Sequence, residues 1–136
     1  MSLEAVDVRL GAAPYQAILN SGPHEWLQDV SVAQGGGNAA PGPHEHLLAS
    51  LGACTAMTIK MYAYRKGWPV EDVRISMRYA ADHRDGDSKI ERTIELIGTL
   101  DDAQRARLMQ IADACPIHKI LSGPIAIATQ AAPPTA

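Results

Sequence analysis

The sequence has no phenylalanine, only two cysteines in 136 residues, and no excess of basic over acidic side chains. The missing phenylalanine excludes nothing by itself, but the other shortages each remove a class of function. Two cysteines are too few for the disulfide framework of a small secreted domain, so they are read as redox partners, metal ligands or plain core residues. The 12 Lys and Arg against 15 Asp and Glu give a net charge of −3 with the signs interspersed. That pattern offers no basic stripe for nucleic acid and no cationic amphipathic helix for a membrane surface. No apolar run approaches the roughly 18 residues of a membrane span, and the N-terminus lacks a basic region followed by an apolar block. A soluble, cytoplasmic protein with neither nucleic-acid nor membrane partners is expected. Residues 34–42 are rich in Gly and Pro but lack the Lys-Ser/Thr ending of a phosphate loop, which leaves an irregular connection.

What is present is organised around one stretch, residues 43–66, which reads as a long helix with a thiol in its middle. At 100° per residue, Leu47, Leu48, Leu51, Cys54, Met57, Met61 and Tyr62 cover about half the circumference. Only Glu45, Ala49, Ala53 and Lys60 are left to face water, so the helix is expected in a core. Pro43 suits its first turn, and Gly67, after Arg65 and Lys66, its C-terminal cap. The whole chain, residues 1–136, is read as a single domain with ends frayed at 1–5 and 130–136.

Ahead of the helix, residues 6–10, 15–20 and 25–32 alternate apolar and polar side chains between turns and predict a three-stranded meander. Its third strand would place Trp26, Val30 and Val32 on one face. After the helix, residues 73–79 and 90–96 alternate around an Asp85-Gly86 turn and predict a hairpin. Val73, Ile75, Met77, Tyr79, Ile90, Ile94 and Leu96 face inward, with Arg78 diagonal to two acids outside. Asp101 or Asp102 caps a helix reaching Ala114, with Leu108, Ile111 and Ala112 on its buried side. Pro116 forces the residue before it out of helical geometry and starts a helix well, so Cys115 is placed at the N-cap of a short helix over 116–121. Residues 125–129 predict a last strand.

From the residues alone, the cysteines stay open between two buried small hydrophobes and a pair that meets across 61 residues. Cys115 would be favoured as thiolate by the amides of the helix it caps. Cys54, among Leu and Met in mid-helix, has no such help, and its pKa should rise unless a cation or donor reaches it.

The segments Gly42-Pro43-His44-Glu45, Leu51-Gly52-Ala53-Cys54-Thr55-Ala56 and Cys115-Pro116-Ile117-His118-Lys119, with strands before, between and after, resemble the OsmC/Ohr family. The resemblance spans nearly the whole chain. It implies an α/β (α+β) fold in which two antiparallel sheets wrap the long central helices of an intertwined homodimer. It also implies thiol peroxidase chemistry on organic hydroperoxides in oxidative stress defence, with no cofactor. Cys54 would attack the peroxide and become a sulfenic acid. Cys115 would then condense with it to a disulfide within the chain, and a dithiol reductant such as a lipoyl group would reset the pair. Leu47, Leu51, Met57 and Met61 would form the apolar substrate pocket.

Two positions depart from the family's pattern. The hydroperoxide reductases carry Glu directly after the Pro, where this chain has His44 with Glu45 one step later. They carry Arg in the first hairpin turn, which here is Gly11-Ala12-Ala13, with Arg9 nearby on the strand. Arg9, His44 and Glu45 are therefore the candidates to ionise Cys54. Glu45 precedes Cys54 by nine residues, a rise of about 13.5 Å along one helix, so His44 and Glu45 would have to act from a second chain. His44 is expected to be partly buried, and His46 and His118 exposed. Two other classes remain: a metal site built from His44, His46, Cys115 and His118, and a small-molecule-binding protein that keeps the fold without turnover.

Overall fold

The computed structural model describes residues 3–134. The outermost residues of the two expected frayed ends, 1–2 and 135–136, lie outside the described residues. The chain divides into two compact units, Met1–Ala49 and Ser50–Ala136. Among the described residues no helix is long and apolar enough to cross a membrane.

The first unit holds the predicted meander, β1 (Asp7–Leu10), β2 (Ala17–Ser21) and β3 (His24–Gln28), in an antiparallel sheet of order β1-β2-β3. Leu19, its most buried apolar residue, lies opposite Val8 on one side and Trp26 on the other. The third strand stops at Gln28 rather than Val32, because Asp29 turns the chain. The Asp29 carboxylate, 3% exposed, accepts from its neighbour Val30 N (2.7 Å) and from Ala39 N (3.0 Å). A side chain that satisfies loop amides in this way competes with a strand ladder. Val30 leaves the sheet and Val32 starts a 3-10 turn, Val32–Gln34, 73% exposed at Val32. The glycines of the connection serve this anchor: a Cβ on Gly36 would lie 2.4 Å from Val30 O and 2.8 Å from Asp29 Oδ1.

The helix α1 (Pro43–Lys66) has the predicted bounds. It ends in a Schellman motif, with Gly67 at φ 71° and amides of Gly67 and Trp68 bonded to Tyr64 O (3.1 Å) and Ala63 O (2.9 Å). In the second unit it packs beside the antiparallel hairpin β4 (Val70–Tyr79) and β5 (Ile90–Gly98), then α2 (Asp102–Ala112) and α3 (Pro116–Ser122). The core unites Ile59, Ala63, Val70, Leu96, Leu108 and Ala112. Asp101 caps α2 through a reciprocal box with Gln104. Arg74 and Arg78 sit directly opposite Glu95 and Glu91 rather than diagonal to them, and Arg78 Nε meets Glu91 Oε1 at 2.8 Å.

Two expectations about buried faces are corrected. The α1 residues that bury are Leu48, Leu51, Gly52, Thr55, Ile59 and Ala63, a narrower stripe than the apolar arc. Leu47, Met57, Met61 and Tyr64 are 40 to 83% exposed, because a two-stranded sheet and two short helices cover only one side of a helix. The predicted strand over 125–129 is irregular and pairs with no described strand, with Ile125 and Ile127 55% and 83% exposed. A strand needs a ladder partner, and no described strand supplies one.

Loop amides hold the Asp29 carboxyl below its ordinary pKa, chiefly the amides of Ala39 and Val30, against an opposing effect of burial. A depressed carboxyl stabilises the fold above its unfolded pKa near 4, and that contribution disappears as pH falls through the lower folded value. Amide hydrogen exchange should therefore show the Val30 and Ala39 amides losing protection in Asp29→Asn at neutral pH. The natural chain should lose the same protection only in acid.

Candidate active site: a buried thiol pair

Cys54 sits mid-way along α1, ahead of the buried Ile59-Ala63 stretch that fixes the helix in the second unit. Cys115 is set by a different device. After Ala112 the chain leaves helical geometry, Cys115 adopts φ −57°, ψ 129° as N-cap, and Pro116 begins α3. Cys115 has no exposed surface, whereas Cys54 is half-buried. Each thiol acts on the ionisation of the other, so the fold brings together the pair that the sequence left open. Thr58 Oγ1, one turn along α1, lies 4.0 Å from Cys54 Sγ.

The environments push the two thiols apart. Burial raises Cys54, its contact with Cys115 raises it further, and the Ile117 amide and Thr58 hydroxyl offset this only in part. Burial also acts upward on Cys115, but donors outweigh it: the Cys54 thiol first, then the amides of His118 and Ile117, then the Thr55 hydroxyl. Cys115 is consequently the thiol that ionises first. The Ile117 amide reaches both sulfurs, which is the geometry of a helix start presented to a shared anion.

Behind the pair stands a residue that the sequence motifs do not single out. Arg92 lies on β5 between the inward positions Ile90 and Ile94, its side chain only 14% exposed. Its Nη1 donates to Thr55 Oγ1 (2.9 Å) and Ala112 O (3.4 Å), and its Nη2 to Asp113 Oδ1 (2.8 Å). Thr55, fully buried, donates in turn to Leu51 O at 2.7 Å. The alternation of β5 does carry a signal for Arg92, since an arginine at an inward position of a strand must find partners inside. Thr55 carries none, because a threonine on a helix face reads as a small filler.

The remaining candidates are placed less tightly. Arg9 is exposed on β1, and His44 and Glu45 are exposed on the first turn of α1; all three belong to the first unit, whereas both thiols belong to the second. The histidine expectation is reversed at that turn. His46 is half-buried with its ring 6.2 Å from that of Trp26, while His44 faces outward, because Trp26 lies on the other side of the helix start. His118 is neither fully exposed nor near His44 in sequence position; its Nε2 lies 3.7 Å from Asp113 Oδ1. Among the described residues no three His, Cys, Asp or Glu side chains gather as metal ligands. Of the expected pocket residues, Met57 and Met61 line an apolar groove of about 750 Å³ with Tyr64 and Val73. Leu51 is buried and Leu47 is exposed, and neither lines that groove.

This asymmetry predicts a two-step titration followed by thiolate absorbance at 240 nm. The first proton should leave below the ordinary thiol value of 9.0 and the second above it. Simultaneous loss of both at one midpoint would contradict the assignment.

The family model for OsmC-like protein matches residues 35–130. Among curated proteins none matches the sequence. Among solved structures, an OsmC-like protein from Mycoplasma pneumoniae superposes with a TM-score of 0.76 at 16% identity, covering 90% of this chain and 89% of the other. An organic hydroperoxide resistance protein, OsmC, from Legionella pneumophila gives 0.68 at 16% identity over 90% and 91% of the two chains. The organic hydroperoxide resistance protein OhrB of Bacillus subtilis gives 0.57 at 18% identity over 90% and 92%. With two antiparallel sheets and a long helix carrying one thiol of a pair, the chain belongs to the OsmC-like protein family.

Proposed function

We propose that this chain, as one OsmC-like domain, reduces organic hydroperoxides through its two thiols. The observation that carries the reading is the contact between a half-exposed Cys54 and a fully buried, readily ionised Cys115. An alkyl hydroperoxide must reach the sulfur that attacks it, and only Cys54 has exposed surface. Cys54 lacks an ionising cation of its own, but its ionisation is linked to that of Cys115, whose thiolate can take the Cys54 proton as attack begins.

The Cys54 sulfur then bonds to the distal peroxide oxygen, the O–O bond breaks, and the departing alkoxide takes a proton from water to become the alcohol. Cys54 is left as a sulfenic acid. Cys115 condenses with it to a disulfide, releasing water, and a dithiol such as a lipoyl group restores both thiols by exchange. Cycling of this kind suits a reducing compartment such as the cytoplasm. Assistance to Cys54 from Arg9 of the N-terminal meander, and from His44 or Glu45 of a second chain, belongs to the same proposal.

We also infer a homodimer. Val8, Leu10, Met57, Met61, Tyr64 and Ile127 are each 59 to 83% exposed, and large apolar side chains left open in this way are what an association surface covers.

Cumene hydroperoxide at one equivalent should consume both thiols and lower the mass by two hydrogens. With dimedone present, Cys115→Ser should form an adduct at Cys54, more slowly than the natural chain forms its disulfide, while Cys54→Ser should form almost none. Equal adduct at Cys115 would reverse the roles, and unchanged thiols throughout would leave a binding protein. Sedimentation at micromolar concentration should show a dimer; a folded monomer there would end the dimer inference.

A further inference from the structure

Arg92 has no evident reason to be where it is on stability grounds alone. An apolar side chain of similar volume at this inward position of β5 would avoid the desolvation of a guanidinium. Instead the strand delivers a cation to the junction of three elements: Thr55 on α1, the last carbonyl of α2 at Ala112, and Asp113 before Cys115.

The Thr55 hydroxyl has one hydrogen to give and two lone pairs to receive with. Arg92 Nη1, 2.9 Å away, donates into that oxygen, so the hydroxyl hydrogen must point outward. In the reduced protein it rests on Leu51 O at 2.7 Å. That carbonyl already serves the α1 ladder, which makes it a shared acceptor. The Thr55 hydroxyl is also among the groups that favour the Cys115 thiolate, and a charged sulfur would draw the hydrogen across. Without Arg92 the same oxygen would be free to accept from the Cys115 S–H, favouring the neutral thiol instead.

We propose that Arg92 is a positioning residue that works through Thr55: it orients the Thr55 hydroxyl as a donor and so readies Cys115 as the thiolate of the pair. The consequence for catalysis rests on the peroxidase reading, whereas the ionisation of Cys115 does not. In that reading the Cys115 sulfur bonds to the Cys54 sulfur and the S–O bond of the sulfenic acid breaks. The thiolate sulfur is oxidised, the sulfenic sulfur is reduced, and the departing hydroxide takes up the proton that Cys115 had released. Of the titratable and charged groups, Cys54 on α1 acts on Cys115 itself, while Arg92 on β5, Asp113 on the segment before it and His118 on α3 are linked to one another through the Asp113 carboxylate.

The test is thiolate absorbance at 240 nm against pH in Cys54→Ser, where Cys115 is the one remaining thiol. Adding Thr55→Val or Arg92→Gln should each raise the midpoint by about one pH unit, a tenfold loss of thiolate below it. The double variant should move it no further than the larger single change, because both substitutions remove the same donor. Thr55→Ser should restore the original midpoint, and Arg92→Lys, which can still donate to Thr55, should recover most of it. An unmoved midpoint in Arg92→Gln overturns the proposal, as do additive shifts, which would mean that Arg92 acts on the sulfur directly. Should Arg92→Gln not fold, the Thr55→Val and Thr55→Ser pair with Arg92→Lys decides: a midpoint that ignores the hydroxyl overturns the proposal, and one that tracks it supports it. No hydroperoxide enters the titration, so its outcome is independent of any failure of the peroxidase reading.

Discussion

A sulfur atom cut off from solvent can carry charge only if hydrogen-bond donors replace the water it has lost. The second compact unit is arranged to bring such donors to Cys115. Pro116 starts α3 and turns the amides of Ile117 and His118 toward the sulfur, α1 supplies Thr55 and the Cys54 thiol, and the end of α2 places the turn that carries Cys115. Each donor comes from backbone geometry or from a residue locked by packing, so none has to be reorganised when the thiol ionises. Cys54 moves the other way because burial raises it first, Cys115 raises it further, and the Ile117 amide and Thr58 hydroxyl offset this only in part.

The arrangement depends in turn on a buried cation being fully engaged. Arg92 is tolerable inside the unit because its hydrogen bonds end on a hydroxyl, a helix-terminal carbonyl and a carboxylate, and Asp113 supplies the opposite charge. A guanidinium held by several elements at once also ties them together, which is why the α2 end, the Cys115 turn and the middle of α1 keep one mutual geometry. A second arginine plays a comparable part farther off, where Arg105 of α2 donates to Leu96 O and Gly98 O at the end of β5.

What the chain leaves unsatisfied is as informative as what it completes. The exposed methionines of α1, the open faces of β1 and residues 124–130, which join no sheet, are all apolar or backbone-rich surfaces of kinds that a second chain can cover. The proposed dimer would account for the breadth of the apolar arc in the helix.

Elements governed by neighbours in sequence are legible in the residues themselves. The bounds of α1 follow from Pro43 and Gly67, the N-cap role of Cys115 from the proline after it, the α2 start from Asp101 and Gln104, and the hairpin from its alternation and turn. These are local rules of backbone geometry and capping, and the family resemblance carried by the two cysteine segments rests on them. Other features are decided by contacts between residues far apart in the chain. Asp29 ends β3 because Ala39 folds back onto it, His46 rather than His44 is covered because Trp26 lies on that side, and residues 125–129 fail to become a strand for want of a partner. Arg92 becomes a partner of Thr55 only when β5 is laid beside α1. A hydrogen bond or a buried charge is settled by what stands opposite in space, and periodicity along one element carries no record of that.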